Sequence, residues 1–158
     1  MEEIIKKLIL NNKTISTMES CTGGGVANSI TNIEGASEVF SFAAVTYSNE
    51  YKIKMGVNSQ TIDKYSVYSM EVAKEMSRAI SNYTNSCYGV GITGKLNRID
   101  KYNLYGEDNT VYISVYDKYF DKYYTNSIKV DKNTRRDNKE LVINEVKKIL
   151  MNVLVVKE

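Results

Sequence analysis

Ser20 stands between a short strand-like segment and a run of three glycines, in the order Glu19-Ser20-Cys21-Thr22-Gly23-Gly24-Gly25. A glycine inside a helix costs roughly 1 kcal/mol relative to alanine. Three together therefore mark a place where something must come very close to the backbone. A strand running into a glycine-rich helix start aims N–H groups and the positive end of the helix dipole at one spot. A serine beside that spot can act as a nucleophile if a base takes its proton. The chain contains no histidine, which removes Ser-His and Cys-His chemistry and every zinc site that uses imidazole. The activating group must then be Lys, Tyr, Asp, Glu or a metal. The stretch Tyr47-Ser48-Asn49-Glu50-Tyr51-Lys52 closes a second apolar run, and open α/β sheets bind ligands at strand carboxyl ends. Lys52, kept neutral by burial or a nearby positive charge, is a base of the required type. Tyr47 could relay the proton or hold Lys52 in place. The plainer reading stands beside this one: Ser20 or Thr22 as a helix N-cap, and Lys52 as a solvated helix lysine.

The elements that must position these residues are legible from periodicity. Residues 14–18 are short, β-branched and mostly apolar, as in a buried strand. From Thr22 the period changes, with Val26 and Ile30 four apart, which predicts a helix over 22–31. An opening helix over 2–11 carries Ile4, Ile5, Leu8 and Ile9 on one stripe. Residues 39–47 predict a central strand, followed by a short helix to about Met55 and another over 59–65. Ser69 caps a long helix whose buried face is expected to be Val72, Met76, Ile80 and Tyr83. Residues 87–93 form a strand with glycines where a neighbour lies close. A polar, irregular surface loop is expected over 95–109, then strands over 110–117 and 119–130 and a last helix over 135–153. Helices interleaved with strands and a late hairpin predict an α/β fold. Its form is a three-layer α/β/α sandwich on a mixed β-sheet, with 1–158 as a single domain.

Global properties narrow the classes further. Among 158 residues, 21 Lys and Arg face 19 Asp and Glu. That balance argues against a nucleic-acid or membrane partner. No stretch is long and apolar enough for a signal peptide or a span, so a soluble, cytoplasmic protein is expected. Cys21 and Cys87 match no metal spacing and suggest no disulfide framework. Residues 89–95, GVGITGK, fit the first seven positions of a phosphate-binding loop, but Leu96 stands where Mg²⁺ binding needs Ser or Thr. The seven tyrosines between Tyr102 and Tyr124 are expected to face a sheet rather than to stack bases.

Taken together, Glu19-Ser20-Cys21-Thr22-Gly23-Gly24, Gly35-Ala36-Ser37, Tyr47-Ser48-Asn49-Glu50 with Lys52, and Gly56-Val57 closely resemble the CinA C-terminal domain family. The similarity continues through Val67, Ser69, Glu71 and Val72-Ala73 to Thr93-Gly94, and is weaker over 105–150. That family includes the bacterial nicotinamide mononucleotide deamidases. The resemblance implies an amidohydrolase, without a cofactor or metal, that converts nicotinamide mononucleotide to nicotinate mononucleotide and ammonia. It implies Ser20 as nucleophile with Lys52 and Tyr47 as activating partners. N–H groups around Thr22, Gly23 and Gly24 would hold the oxyanion or the substrate phosphate. Thr93, Gly94 and Arg135 would complete the pocket, and a homo-oligomer would be the working form. One departure stands out: members carry a glycine-rich loop after the threonine-glycine, and here it reads Lys95-Leu96-Asn97-Arg98. It leaves a second expectation, a family member that binds a nucleotide without hydrolysing it.

Overall fold

The structure, a computed structural model, describes residues 1–98 and 100–155. Helix α1 (Glu2–Leu10) buries the stripe Ile4, Ile5 and Leu8, and strand β1 (Ile15–Glu19) is buried at every position. Next come α2 (Gly25–Thr31), a 3₁₀ turn at Ala36–Glu38 and β2 (Phe40–Val45). Three helices follow, α3 (Asn49–Lys54), α4 (Ser59–Tyr65) and α5 (Met70–Thr84). Strands β3 (Tyr88–Gly94), β4 (Thr110–Asp117) and β5 (Lys122–Lys129) precede the closing helix α6 (Arg135–Val155).

The five strands form one mixed sheet in the order β2-β1-β3-β4-β5. β1 lies parallel to both β2 and β3, which helical crossovers allow, and β3, β4 and β5 run antiparallel. One face carries α1, α2 and α6 over a core that includes Leu8, Val26, Val90, Ile113, Val146 and Leu150. The other carries α4 and α5, with Met18, Val57, Val72, Met76 and Ile80 between the layers. This is the expected α/β/α sandwich.

Two expectations fail at the level of elements. The apolar run over 39–47 forms an edge strand, with Phe42 38% and Val45 52% exposed. An apolar run reports burial of some of its atoms but not its place in the sheet order. Tyr83 is 67% exposed rather than buried, its ring 5.4 Å from that of Phe42. The buried face of α5 is rotated toward Ala73, Ser77 and Ser81, because the sheet beneath it is lined by glycine. A Cβ at Gly91 would overlap the Ala73 carbonyl, and one at Gly89 the Ser77 carbonyl. Ser77 also hydrogen-bonds Ser114 of β4 at 2.9 Å. Small residues on both surfaces let helix and sheet backbones touch, which accounts for the phosphate-loop-like spacing of residues 89–95. Of the tyrosines, Tyr116 and Tyr123 pair across the β4–β5 ladder. Tyr102, Tyr105 and Tyr119 are instead exposed in loops.

Candidate active site

Ser20 is the first residue past β1, and its N–H donates to the Ile92 carbonyl of β3 at 3.0 Å. The chain then turns through Gly23 and Gly24, both at positive φ (+59° and +93°), where a side chain would be strained. Helix α2 begins only at Gly25, three residues later than its apolar period suggests. Its N-cap, Gly24, has no side chain to offer. Glu19 does that work from within the fold: fully buried, it accepts from the N–H groups of Val26 and Ala27, both at 2.9 Å. It also accepts from the hydroxyls of Thr22 at 2.7 Å and Thr17 at 3.2 Å. A carboxylate at a helix N-terminus satisfies both the orphan donors and the dipole. The first free donors of the helix itself, at Val26 and Ala27, are thus taken by the protein's own acid. Ser20 is left free of the cap role, and Thr22 is buried on Glu19. Gly23 and Gly25 donate their N–H groups to Ser20 and Thr22 carbonyls at 3.0 Å. Among the described hydrogen bonds none engages the N–H of Thr22 or Gly24.

Lys52 reaches Ser20 through the edge of the sheet. The Thr46 N–H donates to the Glu19 carbonyl at 2.8 Å, extending the β1–β2 pairing beyond the strands and setting Thr46 beside Ser20. Ser48, extended in backbone, then caps α3 by accepting from the Tyr51 N–H, and the helix turns Lys52 back toward the sheet. The Lys52 side chain is buried, 2% exposed. Its Nζ lies 3.0 Å from Ser20 Oγ and donates to the Thr46 carbonyl at 2.7 Å. Burial pushes its amine down to about 8 from the usual 10.5, because removal from water penalises the ammonium. With one N–H on the Thr46 carbonyl, a neutral amine can turn its lone pair to the Ser20 hydroxyl. Cys21, next along, is buried and its thiol is pushed up to about 12 by the same desolvation. It stays a thiol, which leaves Ser20 as the candidate nucleophile.

Ser20 opens into a cavity of about 560 Å³ that Tyr47, Gly94 and Arg135 also line, a volume suited to a small ligand. Tyr47 is 64% exposed, and its hydroxyl accepts from Arg135 Nη2 at 3.1 Å. It has no described hydrogen bond to Lys52. The other end of the Arg135 guanidinium donates to the Leu96 carbonyl, so the first residue of α6 clamps two walls of the cavity. Gly94 packs without room for a side chain: a Cβ there would meet the Thr110 carbonyl at 2.6 Å. Thr93 lies behind the cavity, fully buried, its hydroxyl on the Val67 carbonyl at 2.9 Å. The structure therefore brings Ser20, Lys52, Tyr47, Gly94 and Arg135 together, and turns Thr22 and Thr93 to structural hydrogen bonds.

The stretch over 95–109 is irregular and largely exposed, as its polarity suggests, but among its described residues Lys95, Leu96, Arg98, Asp100, Tyr102 and Asn103 line the cavity. Leu96 is buried in the main core, and Lys95, 4% exposed, donates to the Gly106 carbonyl at 3.2 Å and Asp108 at 3.3 Å. Asn97 takes the left-handed conformation (φ +61°) and bonds the Lys132 carbonyl at 2.9 Å. Asparagine tolerates that conformation better than most residues, so the turn forms without glycine. Further along, the Tyr68 hydroxyl donates to Asp100, and Asn103 bridges Asp100 and Asn49 at 2.9 Å each. Sequence reading missed Tyr68, Asp100 and Asn103 as cavity residues. The Asp100-x-x-Asn103 turn chemistry is a local signal, whereas nothing local marks Tyr68.

Known proteins share this fold and part of this sequence. A competence-damage inducible protein of Clostridium perfringens is 46% identical over 96 residues, 60% of this chain and 23% of that protein. A relative so named in Alkaliphilus oremlandii is 47% identical over the same shares. The aligned stretch thus spans about a quarter of the length of these relatives. Two CinA superfamily crystal structures share the fold. The one from Klebsiella pneumoniae has a TM-score of 0.88 at 19% identity, covering 98% of this chain and 94% of its own. The one from Escherichia coli has 0.85 at 22%, covering 96% and 89%. The family model described as CinA C-terminal domain matches residues 1–154, nearly the whole chain, and the chain belongs to that family.

Proposed function

We propose that this protein is a serine amidohydrolase whose base is Lys52, and that it hydrolyses the carboxamide of nicotinamide mononucleotide. The observation that carries the reading is the buried Lys52 Nζ at 3.0 Å from Ser20 Oγ, with its amine lowered to about 8. Lys52 takes the Ser20 proton as Oγ attacks the carboxamide carbon. The resulting ammonium returns a proton to the departing nitrogen, so ammonia leaves and an ester on Ser20 remains. Water, deprotonated by Lys52 in the same way, cleaves that ester to free the carboxylate and restore the serine. The Thr22 and Gly24 N–H groups, which have no described partner, are the candidates for the tetrahedral oxyanion. Arg135 and Arg98, both on the cavity, supply positive charge for the phosphate. Tyr47, held by Arg135, stands at the cavity mouth as a substrate-positioning group in this scheme.

The test is ammonia release from nicotinamide mononucleotide. Ser20→Ala and Lys52→Met should each lower the rate at least about a thousandfold, as for other paired nucleophiles and bases. The unmutated rate should climb from pH 7 to a plateau, with its midpoint near the amine value of about 8, since only the neutral amine accepts a proton. No release across that range would sink the reading. It would leave the second one, nucleotide binding without turnover, which the substitution of Lys95 and Leu96 for glycine favours.

A further inference from the structure

Asp100 lies in the wall that this chain builds with its own sequence, and its charge is unusually well defined. The Tyr68 hydroxyl and Asn103 Nδ2 donate to one carboxylate oxygen, and the Tyr102 N–H donates to the other at 2.9 Å. The Tyr68 hydroxyl first, then the other donors, hold its carboxyl below the usual carboxylate range, so Asp100 is an anion at neutral pH. It stands near enough to the reacting pair for its field to raise the Lys52 amine. Arg98 and Arg135 line the same cavity. Lys95, which lies 5.1 Å from the Tyr68 ring centre, is already paired with Asp108 at 3.3 Å. The cavity therefore holds a fixed carboxylate as well as guanidinium groups.

We propose that the Tyr68–Asp100 corner is a subsite for a positively charged aromatic ring, which makes the site selective for pyridinium over neutral-ring nucleotides. In a pyridinium mononucleotide the cation belongs to the ring that bears the carboxamide, and the anion is the phosphate at the far end. Asp100 shares the cavity with Ser20 and offers that ring a countercharge when the carboxamide meets the serine. A neutral ring in the same place covers Asp100 without a countercharge, which costs the desolvation of the carboxylate and returns little. The identity of the reacting carboxamide here rests on the amidase reading above.

The experiment is calorimetry on the Ser20→Ala protein, which cannot turn over its ligand, with nicotinamide mononucleotide and its 1,4-dihydro form. The two share carboxamide, ribose and phosphate and differ in ring charge. The cationic form should bind at least about tenfold tighter, the size of one partly screened charge pair. Adding Asp100→Asn should bring the two affinities to within about twofold, while Asp100→Glu should keep the preference. If Asp100 only shapes the loop, Asp100→Asn weakens both ligands alike and the preference survives, which overturns the proposal. Equal affinities before that change, or binding of neither ligand, overturn it as well. Ammonia release by the unmutated protein is read separately: none, beside an intact charge preference, removes the amidase reading and leaves the subsite.

Discussion

Lys52 shows how one buried side chain links chemistry to stability. Its amine is held near 8 in the fold against 10.5 in the open chain. Below pH 8 both states carry the proton, and the fold bears the full cost of an ammonium out of water. Between 8 and 10.5 the unfolded chain binds the extra proton, so stability rises with pH across that window. The two and a half units correspond to about 3 kcal/mol. The unmutated protein should gain roughly that amount relative to Lys52→Met between pH 7 and 10.5, read by urea unfolding at each pH. A difference that stays flat would show that the amine is not desolvated. Thr46 offers a second test beside it. Its hydroxyl is buried without a hydrogen-bond partner, while its carbonyl serves Lys52. Thr46→Val keeps the shape and the carbonyl and removes the orphan, so it should stabilise by about 1 kcal/mol in thermal unfolding. The candidate nucleophile and base were both readable as residue types, since the lack of histidine left few alternatives. The orphan hydroxyl and the buried state of Lys52 were not, because burial depends on what packs from elsewhere in the chain.

At the scale of elements, the start of the 95–109 loop departs most from what its sequence suggests. Lys95, Leu96 and Asn97 look like polar loop with one stray leucine, yet Leu96 is 1% exposed and anchors the segment in the core. Its carbonyl in turn receives Arg135. Leu96→Ala should therefore cost about 3 kcal/mol in urea unfolding, as cavity-forming core changes do. Under the proposed amidase reading it should also raise the KM for nicotinamide mononucleotide, by loosening Arg135. A loss below about half a kilocalorie, the range of neutral surface changes, would mean that the leucine is no anchor. The start of α2 teaches the complementary lesson. Its glycines were legible as a backbone device, but the partner that fills the helix terminus, Glu19, sits six residues before the helix begins. Periodicity marks where a helix face is apolar and is silent on which carboxylate folds back to cap it.

For the whole molecule, the sheet order decides which residues carry the stability. β3 lies between β1 and β4 with every residue buried, whereas β2 is an edge strand and leads into the helix that carries Lys52. Ile92→Ala at the centre should cost about 3 kcal/mol. Val45→Thr at the edge should stay within about half a kilocalorie, both read by urea unfolding. Comparable losses at the two sites would contradict this order. Among the described residues no helix is long and apolar enough to cross a membrane.

By itself the sequence determined the sandwich, the run of its elements, and the candidate pair Ser20 and Lys52. These rest on local signals: apolar period, glycine clustering, capping residues and the absence of imidazole. Only the tertiary structure decided that β2 is an edge, that Glu19 closes the helix start and that Thr93 stands behind the cavity. It also made Tyr68 and Asp100 walls of the site. Each of these depends on which distant segments share a surface, and hydrogen bonds and desolvation act through space between side chains that can lie tens of residues apart in the chain.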